Sequence, residues 1–116
     1  MGVHKDLQVW QKGIELVKLV YANTQMFPKE ELFGLVSQMR RAAISIPSNI
    51  AEGYGRCSSK ECERFLYISL GSVSELETQL IISKELGYID SNIYQSLDNL
   101  INQIIKMLSA LIKSLK

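Results

Sequence analysis

A proline stands in the middle of the most regular helical pattern in the chain. The stretch is Gly34 to Arg56, GLVSQMRRAAISIPSNIAEGYGR. At roughly 100° per residue, Leu35, Val36, Met39, Ala43, Ile46, Ile50, Gly53 and Tyr54 share one face. Gln38, Arg41, Ser45, Ser48, Asn49, Glu52 and Arg56 share the other, so the stretch reads as an amphipathic helix. Pro47 interrupts neither stripe. It has no N–H for the carbonyl of Ala43, and its ring crowds that carbonyl. The pattern predicts a kink near Ile44–Pro47 rather than a stop. An interior proline costs about 3 kcal/mol. Packing against other elements must therefore offset it, which makes this helix a part of a larger assembly of helices.

The remaining pattern is helical as well. The spacing of Leu7, Trp10, Ile14, Val17, Tyr21 and Thr24 predicts a first helix with a heptad-like inward seam. Asp6 is its expected cap, Trp10 and Tyr21 are expected core residues, and Val9, Leu16 and Val20 widen the face. Phe27-Pro28 ends it, and Pro28, Glu30 and Glu31 suit the first turn of the second helix. That helix is expected to close on Gly55 in a left-handed cap.

Ser58 and Glu61 have capping-box spacing and open a third helix. Its inward seam is Phe65, Ile68, Ser69, Ser72, Leu76, Leu80 and Ser83, small enough near Gly71 for a neighbour to come close. Leu86-Gly87-Tyr88-Ile89 reads as a glycine C-cap. Asp90 or Ser91 caps a fourth helix. It carries one seam of Ile93, Leu97, Leu100, Ile104, Leu108, Leu111 and Leu115, and a second of Ile101, Ile105, Leu108 and Ile112. No stretch alternates as a strand would. The expected fold is all-α: an antiparallel up-down-up-down four-helix bundle with a proline kink in the second helix, forming one domain over residues 1–116.

Helices one and four carry more apolar surface than one bundle core uses, and Ile44 and Ala51 lie off the main face of helix two. Burial between subunits accounts for the surplus, so a homo-oligomer is expected. No run reaches the ~18 apolar residues of a membrane span. The opening MGVHKDLQVW lacks a signal-peptide core, and a cytoplasmic location with no membrane contact is expected.

Little in the sequence points to catalysis. His4 is the sole histidine and has no evident nucleophile beside it. Glu75 and Glu77 face different directions on a helix, and the Glu-x-x-His pairs of di-iron bundles are missing. Cys57 and Cys62 have no second ligand pair, so they read as reduced thiols rather than a zinc site. No enzyme activity, cofactor, metal or small-molecule substrate is expected. Net charge is +1, too small for a strong overall field.

The charge is nonetheless uneven. Arg40, Arg41, Arg56, Lys60 and Arg64 form the densest basic set, suited to phosphate contact. The competing and favoured reading is an ion-pair network, with Glu52 pairing Arg56 at i, i+4 and Glu75 or Glu77 meeting Arg40 or Arg41. Asn49 is expected to bond the carbonyl that Pro47 frees. Tyr54, Tyr67, Tyr88 and Tyr94 are scattered and form no stacking platform in sequence order. Lys106, Lys113 and Lys116 follow the last acidic residue, Asp98, and read as a solvated helix end.

Several runs resemble one family. They are Phe27-Pro28, Glu31, Gly34-Leu35, Gln38, Arg40-Arg41-Ala42-Ala43, Ser45-Ile46-Pro47, Asn49-Ile50-Ala51-Glu52-Gly53 and Arg56, then Phe65-Leu66, Gly71-Ser72, Glu75-Leu76-Glu77 and Leu86-Gly87-Tyr88-Ile89. With Leu7-Val9-Trp10-Gln11, they make nearly the whole chain similar to the small bacterial proteins named after reading frames in intervening sequences of 23S ribosomal RNA genes. The resemblance implies a four-helix bundle assembled as a pentamer. It also implies kinship with accessory proteins of diversity-generating retroelements, which look like binders of nucleic acid and reverse transcriptase. The leading expectation is a non-enzymatic oligomeric scaffold with RNA or a nucleoprotein as partner. The alternative is a structural homo-oligomer that holds a protein partner and no nucleic acid.

Overall fold

The computed structural model describes residues 3–56 and 58–116. Its four long helices are α1 (Gln8–Thr24), α2 (Ser37–Tyr54), α3 (Ser59–Glu85) and α4 (Ser91–Ser114), and no strand occurs among the described residues. The molecule measures 44 × 25 × 20 Å. A 27-residue α3 is about 40 Å long at 1.5 Å per residue, so this one helix sets the long axis.

The start of α1 departs from the expected cap. Asp6 belongs to a 3-10 turn, His4–Asp6, and extended Leu7 occupies the cap position without a side-chain bond. Gln11 takes over the tethering, its Nε2 donating to the carbonyl of Lys5 at 3.0 Å. The buried stripe is also shifted, to Val9, Gly13, Leu16, Val20 and Thr24. Ile14 and Tyr21 are each 37% exposed and Trp10 is half-buried, so the expected seam forms the border of the contact rather than its centre. Gly13 is the reason. A Cβ built there would lie 3.3 Å from Cβ of Pro47, so α1 rides on α2 at a residue with no side chain.

Between α1 and α2 the chain makes a 3-10 turn (Lys29–Glu31) and a π-helical turn (Leu32–Val36). The second helix therefore begins at Ser37, past the first turn expected at Pro28, Glu30 and Glu31 and past Gly34, where the amphipathic pattern starts. The non-helical backbone sits at Gly34 (φ −111°, ψ −108°), while α2 continues through Pro47. Glu31 holds this connection: Tyr88 Oη donates to its Oε2 at 2.9 Å, and the N–H of Leu35 points at its Oε1 at 3.5 Å. Gly55 ends α2 at φ −87°, not left-handed, because its N–H folds back onto the carbonyls of Ala51 and Glu52.

α2 and α3 meet through small residues. A Cβ on Gly53 would come within 3.1 Å of the Cys62 carbonyl and of Phe65 Cβ. Farther along, Ser69 Oγ donates to the carbonyl of Ile46 (2.9 Å), Ser45 and Ser72 share a hydrogen bond (2.7 Å), and Ser83 donates to Met39 Sδ (3.4 Å). These hydroxyls are satisfied inside an otherwise apolar seam, which removes the cost of burying them. Gly71 has nothing within 4 Å of a built Cβ, and Ile68 is 41% exposed, so the close approach falls on Gly53 and the serines rather than on Gly71. Asn49 does not reach the carbonyl freed by Pro47. Its Nδ2 donates to the carbonyl and the hydroxyl of Ser45, at 2.8 and 2.9 Å.

The other caps follow the sequence. Ser58 accepts from the N–H of Glu61 (3.1 Å), and Asp90 from that of Ile93 (2.8 Å). Gly87, at φ +79°, closes α3 with Tyr88 N–H on Ser83 and its own N–H on Lys84, a Schellman pair. The apolar core draws on all four helices, with Leu16, Met39, Ile46, Ile50, Leu66, Leu76, Ile101 and Ile104 almost wholly out of water. A Leu-to-Ala change at such a site costs about 2–5 kcal/mol.

Candidate functional site

The five basic residues of the sequence pattern do not form one patch. Arg40 and Arg41 lie near the start of α2, and Arg56, Lys60 and Arg64 lie around the α2–α3 turn, roughly 20 Å farther along at 1.5 Å per residue. Arg40 is turned inward. Its Nε donates to Thr24 Oγ1 at 3.1 Å, its Nη2 reaches the Tyr21 carbonyl at 3.5 Å, and the guanidinium lies 4.4 Å above the Tyr21 ring. Thr24 Oγ1 in turn donates to Val20. Arg40 therefore straps α2 to the end of α1.

Arg41 is exposed. With Gln38, Ser45 and Glu75 it lines a hollow of about 360 Å³ along the α2–α3 groove. Gln79 lies behind Glu75 with its Nε2 3.5 Å from the carboxylate, and its buried Oε1 has no partner among the described residues. The expected ion pairs of Glu75 or Glu77 with these arginines do not occur among the described residues.

At the α2–α3 turn, Arg56 pairs with Glu52 and Arg64 with Glu61 (3.7 Å). Both guanidiniums also stack near the Phe65 ring, at 4.8 and 5.3 Å. Lys60, Arg64, Tyr67 and Ile68 border a hollow of about 540 Å³, together with the carboxylates Glu61 and Glu63. On the other side of Tyr67 a hollow of about 200 Å³ lies against Leu70, Lys113 and Lys116. Lys116 Nζ is 5.7 Å from the Tyr67 ring centre and 3.9 Å from Glu63. The Tyr67 side chain, and after it the Glu63 carboxylate, raise the pKa of Lys116. Sequence order hid this meeting, since Tyr67 is on α3 and Lys116 lies just past the end of α4. Their only linear signal was the run of lysines after Asp98.

A second surface is apolar. Trp10, Ile14 and Val17 of α1 and Ile44 and Ala51 of α2 border a shallow groove of about 270 Å³ floored by Pro47. Ile44 is 42% exposed. His4 stands at its edge, 5.3 Å from the Trp10 ring in an edge-on arrangement. Another apolar hollow, about 360 Å³, lies between Leu7 and Val9 of the α1 end and Met107 and Leu111 of α4.

The titratable groups in contact with the core are few. Burial pushes the Cys62 thiol up from its ordinary value, and burial with the nearby Cys62 does the same to the Tyr54 phenol. Cys57 lies outside the described residues. No cluster of three or more His, Cys, Asp or Glu gathers as a metal site among the described residues, and no helix there is long and apolar enough to cross a membrane.

The sequence model of the 23S rRNA-intervening sequence protein family matches residues 5–110. The chain belongs to that family. No curated protein matches it significantly. Among solved structures it is similar to a protein of unknown function from the S23 ribosomal protein family of Bacteroides thetaiotaomicron. The likeness has 28% identity and a TM-score of 0.81, covering 90% of this chain and 98% of that one. The match to the 23S rRNA-intervening sequence proteins spans α1, α2, α3 and most of α4, and so includes both arginine groups and the apolar groove. It stops short of Lys113 and Lys116. In this member of the family, Ile112, Lys113 and Lys116 of the smaller hollow beside Tyr67 thus lie beyond the matched region.

Proposed function

We propose that this protein is a non-enzymatic scaffold: an antiparallel four-helix bundle, bent at Pro47, that self-associates and presents a binding surface to RNA or a nucleoprotein. The observation that carries the reading is the apolar groove of Trp10, Ile14, Val17, Ile44 and Ala51. An α-helical face whose large side chains stay half in water is a surface suited to a second copy. The antiparallel arrangement is supported by the α2–α3 contacts, where residue 53 faces 62 and 65, 46 faces 69, and 39 faces 83. A closed ring, the pentamer of the family resemblance, places the same groove at each subunit boundary.

Light-scattering mass of the protein alone, then with a mixed RNA and DNA pool at low and moderate salt, tests the proposal. The expected result is an oligomer that Ile44→Glu breaks into monomers with unchanged helicity, and that gains mass with nucleic acid until salt releases it. A wild-type monomer at micromolar concentration sinks the scaffold. An oligomer indifferent to nucleic acid favours the second reading, a structural assembly with a protein partner. That reading has its own observation: Arg40 and Arg56 are already engaged within the chain.

A further inference from the structure

The geometry points to a binding surface for single-stranded nucleic acid centred on Tyr67, built jointly by the first turns of α3 and the last turns of α4. It rests on the proposal above that the partner is a nucleic acid, and it names the site and the strand form. The Tyr67 ring is 47% exposed and separates two hollows of about 540 and 200 Å³. Lys60 and Arg64 flank the larger one, which Glu61 and Glu63 also line, and Lys113 and Lys116 flank the smaller. An aromatic face with cations on both sides is what a flexible strand requires: a base stacks on the ring while phosphates on either side meet the amines and guanidinium. The floors of the hollows, Ile68 on one side and Leu70 on the other, are aliphatic and suit the faces of bases more than further phosphates.

The carboxylates present do not block this use. Glu61 and Glu63 hold Arg64 and Lys116 only at 3.7 and 3.9 Å, with both cations more than half exposed. Such pairs contribute little and exchange readily for phosphate. Lys60 and Lys113 make no ion pair among the described residues. A duplex keeps its bases inside its own stack and offers Tyr67 nothing to stack on. An acidic peptide would satisfy the lysines and leave the ring unused.

Fluorescence anisotropy with a labelled 20-nucleotide single strand, the duplex of the same sequence, and a polyglutamate peptide is the test. Tyr67→Ala is expected to weaken single-strand binding about tenfold, and Tyr67→Phe to retain it. Lys113→Ala with Lys116→Ala is expected to weaken it further and to lower the log–log salt slope by about 1.4. Lys18→Ala, on the far helix α1, should change nothing. Circular dichroism melts show whether each variant is folded. Strand binding that survives both the Tyr67 and the lysine changes overturns this site while leaving a nucleic-acid partner elsewhere on the chain. No binding of any strand by the wild type at low salt overturns the partner itself. Tighter binding of the duplex or of polyglutamate overturns the single-strand assignment.

Discussion

Gly13 of α1 sits directly on Pro47 of α2: a Cβ at position 13 would lie 3.3 Å from the proline Cβ and 3.4 Å from its Cδ. The ring that weakens the hydrogen bonding of one helix thus fills the hollow left by a missing side chain on another.

Enlarging Gly13 should separate the two helices. Gly13→Leu is expected to destabilise the fold by about 2 kcal/mol, in the range of overpacked cores. Gly13→Ala should be close to neutral, because about 1 kcal/mol of helix propensity gained offsets a contact that must give by a few tenths of an ångström. Pro47→Ala restores an N–H for Ala43, a gain of about 3 kcal/mol, and removes two buried methylenes at about 0.8 kcal/mol each. A net stabilisation of about 1 kcal/mol is expected. Urea melts of the three variants measure all of these.

The adjacent arginines should behave differently. Arg40→Ala removes the strap to Thr24 and Tyr21 and is expected to cost about 1–2 kcal/mol. Arg41→Ala should leave stability within about 0.5 kcal/mol, since its side chain only borders the Glu75 hollow. Equal thermal shifts for the two would contradict the division of roles drawn from their contacts.

Cys62 is fully buried, and burial raises its thiol pKa above the ordinary 9.0. In a Cys57→Ser background, iodoacetamide at neutral pH should modify Cys62 only as fast as the protein opens, and denaturant should accelerate the reaction sharply. The sign for stability follows. The folded state favours the protonated thiol, so this contribution is complete below pH 9.0 and is lost as pH rises through the higher folded value.

Tyr88 gives a second alkaline signal. Its hydroxyl donates to Glu31 at 2.9 Å, and that bond, with burial and the charge of Glu31, raises the phenol above the ordinary 10.0. Stability from this bond is complete below pH 10 and falls as pH rises through the raised value. Tyr88→Phe is expected to lower the melting temperature at neutral pH and to flatten the alkaline loss measured by a pH series of melts.

The features legible in the sequence were those decided within a few residues. Ser58, Asp90 and Gly87 cap because each bonds backbone three to five positions away. The buried faces of α2 and α4 also follow their periodicity. The α1 seam was misplaced because a glycine carries no hydrophobic weight, and its burial is set by Pro47, a residue 34 positions on in the chain. The break at Gly34 was missed because Pro28, Glu30 and Glu31 have the composition of a helical first turn, and a single glycine in a helical pattern does not announce a break. Of the basic set, sequence spacing correctly paired Arg56 with Glu52, but it could not show that Arg40 turns inward. Nor could it bring Lys116 to Tyr67, since that distance depends on how α4 lies on α3.

The serines between α2 and α3 act as detents. A slide of one helical turn, about 5.4 Å, would pull Ser69 from the Ile46 carbonyl, Ser72 from Ser45 and Ser83 from Met39 at once. Greasy side chains alone would tolerate neighbouring alignments, because one leucine is much like the next. Three hydroxyls at unequal spacing admit one alignment. The register of α2 on α3 is therefore keyed by polar contacts spread along the seam, most firmly where Ser69 meets Ile46 and Ser72 meets Ser45.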